Sequence, residues 1–395
     1  MADNKSYDVV IIGGAVMGSA TAYFLASNPD FNGSVLVIER DPTYAKSATA
    51  LSSSSIRHQF SNEINIRISQ YGSEFIKHFS DHVNVDGDAP ELGFQENGYL
   101  YMVSEKDKAI LTSNYEQQIA LGSEMALLSP DEIHQRFPWI NPEGIAAACL
   151  GLSGEGWFDS SGLMQGFRKK ARSLGVTFIH DEVVGLTRNG DSIDQVHLKS
   201  GDVVNCGYVL NAAGTRGNHV CHMADLSIPV VPRKRCIFVF DCREKVAEKM
   251  PAIIDATGIF CRPEGRYFLC TLEPTPDPDT DYNDFEVIHD EFEERIWLPL
   301  AARVPAFEAI KVVNAWAGHY DYNTLDHNAI IGPHTTVKNF LFANGFSGHG
   351  LQQAPAVGRG LAEMITYGEY RSLDLSPLGF ERIETQTPFL EKLII

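Results

Sequence analysis

Residues 7–40 read YDVVIIGGAVMGSATAYFLASNPDFNGSVLVIER, and this stretch decides the fold. Residues 8–12 are rich in β-branched side chains, the pattern of a buried strand. The run stops at Gly13-Gly14, and residues 15–27 then carry small and apolar side chains at helical spacing. A second β-branched run, residues 35–38, ends on Glu39. Strand, glycine turn, helix, strand and acid make up the βαβ unit that binds dinucleotides. Gly13 makes the tight turn, and Gly18 with Ala22 lets the helix lie close on the sheet. The helix N-terminus, with unpaired N–H groups and a positive dipole end, accepts a pyrophosphate. Glu39 lies 21 residues beyond Gly18, where its carboxylate holds ribose hydroxyls and disfavours a 2′-phosphate. Ala15 replaces the middle glycine of G-x-G-x-x-G, an intrusion of one methyl group.

The rest of the composition narrows the function. A chain of 395 residues is long enough for two or three domains. Its net charge of −19, from 51 acids against 32 bases, repels nucleic acid and anionic membranes. No apolar run approaches the roughly 20 residues needed to cross a bilayer. The N-terminal MADNKSYD passes almost directly into the first strand, leaving no room for a leader. Seven cysteines, an odd number without a C-x-x-C pair, imply free thiols in a reducing, cytoplasmic setting. Thirteen histidines form no H-E-x-x-H or tight His/Cys set, so no metal site is expected.

Beyond residue 40 the texture alternates. Residues 41–60, DPTYAKSATALSSSSIRHQF, read as a polar loop leading into a helix at about 62–79. Residues 93–103 suggest two strands joined by an Asn-Gly turn. Helical patterns follow at 105–121 and 129–137, the second opened by Ser129-Pro130-Asp131-Glu132. A nucleotide-type pattern returns with a helix at 160–174, strands at 175–179 and 182–186, and a hairpin turn near Asn189-Gly190. Residues 208–214 form a strand ending on Ala212, Ala213 and Gly214, small enough for close approach to a cofactor. Short alternating runs at 236–240, 259–262 and 267–271 predict an antiparallel sheet. Residues 274–284 are an acidic, proline-rich loop, and 285–303 a helix. Residues 339–344 are a strand running into Gly345-Phe346-Ser347-Gly348-His349-Gly350 and a helix over 351–367. This second glycine-rich turn offers another set of N–H groups to an electron-rich ligand. Two such turns suit a long dinucleotide better than NAD.

The order of these segments resembles the FAD-dependent amino-acid and amine oxidoreductases of the D-amino-acid oxidase and sarcosine oxidase type. The resemblance is carried by VVIIGGAVMGSATAYFL, VLVIER, SSSSIRHQFS, VLNAAGTRG and NGFSGHGLQQAPAVGRGLAEMI, and spans the whole chain. WAGHYDYNTLDHNAIIGPH followed by GFSGHGLQQAP is most similar to a subgroup that includes a mitochondrial protein linked to respiratory complex I assembly. The resemblance implies that Gly13, Gly14, Ala15, Val16, Met17, Gly18, Glu39 and Arg40 bind the ADP half of FAD. Val183, Ala212, Ala213 and Gly214 line the adenine and ribose. Ser53, Ser54, Gly318, Gly345, Phe346, Ser347, Gly348, His349, Gly350, Leu351 and Gln352 flank the flavin. Arg57, in IRHQF, stands where such enzymes hold the substrate carboxylate, a task suited to a planar guanidinium. The resemblance also makes His349, Tyr320 and Tyr322 candidates for shaping the pocket.

Three departures from the resemblance carry meaning. Gln352 replaces a lysine that serves as a second carboxylate ligand. His319 is nearest to the cysteine that attaches flavin, so non-covalent FAD is expected. The lysine that activates oxygen has no counterpart in residues 267–271. A cation beside the flavin would stabilise superoxide, so a quinone or carrier protein competes with O2 as acceptor.

The expected architecture is α/β. A discontinuous Rossmann-type FAD-binding domain takes residues 1–85, 156–225 and 311–395. An α+β substrate domain on an antiparallel sheet takes 86–155 and 226–310. The implied reaction is hydride transfer from the α-carbon of an N-substituted, cyclic or D-amino acid to flavin N5, giving an imine that hydrolyses. Two other classes stay open: an FAD-stabilised assembly protein with little turnover, and an NAD-dependent dehydrogenase. The substrate, its stereochemistry and the oligomeric state stay undetermined.

Overall fold

A computed structural model of the chain describes residues 5–393 except 89 and 245. Residues 1–4, on which the expected absence of a leader rests, lie outside the described residues. The first sheet forms around the opening strand Lys5–Ile12, whose Val9, Val10 and Ile11 are fully buried. It pairs in parallel with Val35–Glu39 on one side and Val203–Asn211 on the other. Thr177–His180 and Phe340–Asn344 extend these flanks in parallel, and Ile330–Pro333 closes the far edge antiparallel. The hairpin Val183–Asn189/Ser192–Leu198 is attached through Val203–Asn211.

Close packing sets the position of the helices. The helix Val16–Ser27 follows the glycine turn, and the buried helix Gly350–Tyr367 packs against it. A Cβ on Gly18 would come 1.9 Å from the Gly13 carbonyl oxygen, and one on Gly358 would come 2.8 Å from the Ala20 Cβ. Glycine at these points lets the first helix approach both the strand before it and the second helix. Both helix N-termini thereby open on the same edge of the first sheet.

The second sheet runs in the order Ile310–Asn323, Val230–Cys242, Tyr267–Thr271, Phe260–Glu264, Ala252–Ile254, Tyr99–Val103, Ala147–Gly151 and Met125–Leu128. Every pairing is antiparallel except that of Ala252–Ile254 with Tyr99–Val103. The ribbon Val230–Cys242/Ile310–Asn323 joins the two halves. Val230 belongs to the core of the first sheet, and Cys236, Phe238 and Phe240 to that of the second.

Four local expectations change. Residues 93–103 give one strand, Tyr99–Val103, because Gln95 bridges to Trp157 and leaves the register of a hairpin. The helix expected over 285–303 reduces to Phe292–Ile296 and Trp297–Arg303. Phe285 is instead drawn onto His319, with ring centroids 4.2 Å apart, and Ile288 N–H donates to Cys236 Sγ. The strand Ile310–Asn323, absent from the sequence reading, pairs with Val230–Cys242 in the second sheet although residues 311–395 were expected in the first unit. The helix near 62–79 divides into Glu63–Lys77 and Phe79–Val83. The capping box at Ser129 and Glu132 forms as its spacing predicts.

A Gly18→Ala substitution must push the helix off the strand, so the folded state loses about 1–3 kcal/mol, the usual cost of overpacking. Urea unfolding of the variant reads this as a lower midpoint. An unchanged midpoint would mean that the close approach at Gly13 does not constrain the fold.

Candidate functional site

The two glycine turns and the inter-sheet ribbon surround a cleft of about 360 Å³. Gly13, Ala15, Val16, Met17, Glu39 and Arg40 line one part of it. Gly13 adopts φ +102°, and a Cβ there would lie 2.4 Å from the Ala212 carbonyl oxygen. Ala212, Ala213, Gly214 and Val183 therefore meet the first turn and share the same wall. Gly14 and Gly18 stand outside the lining; Gly14 donates its N–H to Glu39 Oε2 at 2.8 Å. Glu39 Oε1 accepts the Asp41 N–H at 2.8 Å, so the carboxylate is fixed while each oxygen keeps accepting capacity for a diol. Thr49, not anticipated from sequence, lines the cleft and accepts the Val16 N–H at 3.3 Å.

The C-terminal turn depends on another residue the sequence reading passed over, Asp321. Its Oδ2 accepts N–H bonds from Gly345 at 2.8 Å and Phe346 at 3.3 Å, and its carbonyl accepts the Ser347 N–H at 3.1 Å. Burial pushes the Asp321 carboxyl up to about 6, against the lowering effect of these backbone donors. Gly345, Ser347 and Gly348 adopt φ +73°, +49° and +95°, giving the sharp entry to helix Gly350–Tyr367. A Cβ on Gly348 would meet the Tyr320 ring at 2.5 Å, so glycine there makes room for that ring. Phe346, Gly348, Gly350, Leu351, Gly318, Tyr320 and Ser53 all line the cleft.

Arg57, His349 and Gln352 do not line it. They form a buried cluster beside it, since His349 lies between the lining residues Gly348 and Gly350. Arg57 Nη2 lies 3.2 Å from His349 Nε2, and the guanidinium carbon sits 4.9 Å from the Phe60 ring centroid. Gln352 Oε1 accepts the Arg57 backbone N–H at 2.9 Å, so this amide holds the arginine loop. Among the described residues no carboxylate lies within ion-pair distance of Arg57, and its buried Nε has no partner. The loop is clamped on both sides. Arg262 donates to the Ser53 carbonyl at 2.7 and 3.0 Å, Trp316 Nε1 donates to the Leu51 carbonyl at 3.1 Å, and Ser55–Ile56 pairs with Gly156–Trp157.

The remaining candidates separate. Tyr322 and Ser347 line a smaller cavity of about 100 Å³ that shares Arg235, Thr271 and Tyr320 with the main cleft. Ser54 lines neither; it adopts φ 58° and donates its N–H to Ser52 Oγ at 2.9 Å. Gly345 lines neither cavity and acts through Asp321. Arg235, missed from sequence, is the cation at the junction of both cavities, but Asp277 and Glu273 pair with it at 2.7 and 3.1 Å.

A cleft with two helix N-termini on one edge, a fixed acid at one turn and glycines where any Cβ would collide defines a dinucleotide-binding fold. The chain belongs to the DAO family of FAD dependent oxidoreductases, whose sequence profile matches residues 8–364. It is 39% identical over 422 residues to FAD-dependent oxidoreductase domain-containing protein 1 of Xenopus laevis, covering 98% of this chain and 85% of that one. It is 24% identical to sarcosine oxidase subunit beta of Arthrobacter sp, covering 96% and 92% of the two chains. The fold superposes on L-proline dehydrogenase from P. horikoshii with a TM-score of 0.83 at 25% identity, covering 97% and 99%. The cofactor is FAD, and the α/β fold is that of the family's Rossmann-type flavoproteins with a second, sheet-based half. Among the described residues no helix is long and apolar enough to cross a membrane.

Asp321→Ala strands the Gly345 and Phe346 N–H groups at the turn, a loss of about 1–3 kcal/mol. At roughly 1.4 kcal/mol per tenfold, FAD affinity falls about fivefold or more. Fluorescence titration of apoprotein with FAD measures this, and wild-type affinity in the variant would remove Asp321 from the account.

Proposed function

We propose that the protein oxidises an amino acid, N-substituted, cyclic or of D-configuration, with Arg57 holding the substrate carboxylate. The observation that carries this reading is Arg57, a residue 8% exposed and, among the described residues, without an acid at ion-pair distance of its guanidinium. A buried cation in this state is costly unless an anion completes it, and a carboxylate matches its planar fork. The cleft edge beside it is formed by Gly348, Gly350 and Tyr320, next to the N-terminus of helix Gly350–Tyr367.

Bound FAD supplies a two-electron acceptor for the Cα–H bond of the substrate. The chain's own work is orientation. Gln352 and the backbone of residues 51–57 hold Arg57, Arg57 fixes the carboxylate, and Tyr320 lines the cleft beside it. Hydride departure needs a neutral amine, so turnover rises with pH through the pKa of the bound amine. The imine product leaves and hydrolyses in water. FAD is held without a covalent bond. His319, where the resemblance places an attaching cysteine, has Nε2 at 2.6 Å from the Asp284 carbonyl and its ring stacked on Phe285.

Arg235 beside the cleft carries two acidic partners and offers little net charge to a superoxide. With Arg235 so paired, a quinone or a carrier protein competes with O2 as electron acceptor. All seven thiols are free and five are buried, which supports a reducing, cytoplasmic setting.

The test is an anaerobic titration of the holoprotein with sarcosine, proline, pipecolate, N-alkyl and D-amino acids, read at the flavin band near about 450 nm. One of them bleaches the band, and admitted air restores it slowly. Arg57→Ala keeps FAD but loses about thirtyfold or more in the bleaching rate at low substrate, as expected for a lost charged contact of roughly 2–5 kcal/mol. A variant bleached as fast as wild type would contradict the carboxylate role. No bleaching by any member of the panel would favour an assembly protein with little turnover.

A further inference from the structure

The loop that holds Arg57 rests on a second buried charge. Glu155 is fully buried in the turn that leads into Gly156–Trp157. Its Oε1 accepts the His58 N–H at 2.6 Å, and its Oε2 accepts Gln59 Nε2 at 2.9 Å. Both residues that follow Arg57 thus hang on this one carboxyl. Gln59 Nε2 also donates to the Tyr99 carbonyl at 3.1 Å, and a Cβ on Gly151 would lie 1.9 Å from Glu155 Oε2. The carboxyl cannot move away from the loop. Among the described residues no cation lies within ion-pair distance of Glu155.

We propose that Glu155 is the resident counter-charge of Arg57 and takes up one proton from solvent when a carboxylate ligand binds to that arginine. This rests on Arg57 being the carboxylate anchor. In the free protein the guanidinium favours an ionised Glu155 across the loop, and the donors from His58 and Gln59 do the same. A ligand carboxylate neutralises that guanidinium and adds a second anion to a dry site. The cheaper state is then one carboxylate on Arg57 and a neutral Glu155, still tied to the loop.

Most groups around Glu155 are shifted away from neutrality, and His349, 3.2 Å from Arg57 Nη2, is the other titratable group at this arginine, which the Glu155→Gln variant separates from Glu155. Tyr99, from strand Tyr99–Val103, is pushed up to about 12 by burial, and Cys149, from Ala147–Gly151, is pushed up as well. His58, which faces Lys77 and Glu96, is driven down to about 4 by burial. Tyr101 and Tyr320, which also face Arg57, are raised by burial. Glu155 itself is raised to about 7 by burial, against the lowering effects of Gln59, His58 and Arg57. Below that pH it already carries its proton in the free protein, so affinity is flat. Above it, binding must recruit a proton, and affinity falls by up to about tenfold per pH unit.

The experiment uses the holoprotein and 2-furoate, a carboxylate with no amine to titrate or oxidise. Flavin absorbance follows its dissociation constant from pH 6 to 9. Wild type shows a flat profile below about pH 7 and weakening of up to about tenfold per unit above it. Glu155→Gln flattens the profile, and Arg57→Ala abolishes binding at every pH. Calorimetry of wild type in two buffers of different ionisation enthalpy reads up to one proton taken up at pH 8, which needs no variant. A flat wild-type profile, no proton uptake, or a pH-dependent profile retained in Glu155→Gln overturns the coupling while leaving Arg57 as the anchor. Absence of 2-furoate binding in wild type, or binding unaffected by Arg57→Ala, overturns the carboxylate reading beneath it.

Discussion

A guanidinium buried without an acid beside it is the constraint on which the site depends. Such a charge persists only where its surroundings are over-determined, and the Arg57 loop is. Arg262 and Trp316 hold the chain before it, Gln352 holds its own N–H, and Glu155 holds the two residues after it. These partners come from the second sheet, from the turn before Gly156–Trp157 and from the C-terminal helix. Arg57 is therefore placed by the whole fold, and the loop would lose its position if any one of the three bodies shifted.

The cofactor side follows a different rule, close backbone approach. Glycines at 13, 18 and 348 stand where a Cβ would strike a carbonyl or a ring. This brings two helix N-termini to one cleft, and their N–H groups and dipole ends favour an electron-rich ligand. Asp321 sets the geometry of the second turn from the inter-sheet ribbon, so the same ribbon that joins the two cores also shapes the cofactor edge.

Much of this was readable in the chain, for local reasons. Residues 7–40 combine β-branched runs, a glycine turn and an acid at fixed spacing, and each of these signals is decided within a few residues. The Ser129 capping box and the Asn189-Gly190 hairpin are likewise local. The strand Ile310–Asn323 was missed because its exposed Val313 and its alternation broken by Ala315-Trp316-Ala317-Gly318 hide the period of a strand. Its pairing with Val230–Cys242 is non-local and leaves no short-range trace. Asp321 and Glu155 were missed for a related reason. An acid that accepts backbone N–H groups from segments far along the chain looks like any surface acid until the chain folds. Arg57 was found through resemblance, whereas its lack of a partner became visible only in three dimensions.

The central claim is that a substrate carboxylate completes the Arg57 charge. Matched pairs that differ only in that group test it most directly. Proline against pyrrolidine, pipecolate against piperidine, and sarcosine against dimethylamine would each be mixed anaerobically with the wild-type holoprotein, and the rate of flavin bleaching measured. The account predicts that at least one acid bleaches the flavin while its decarboxylated partner is slower by about a hundredfold or more, in keeping with a charged contact of a few kcal/mol. An amine that matches or outpaces its acid would contradict it.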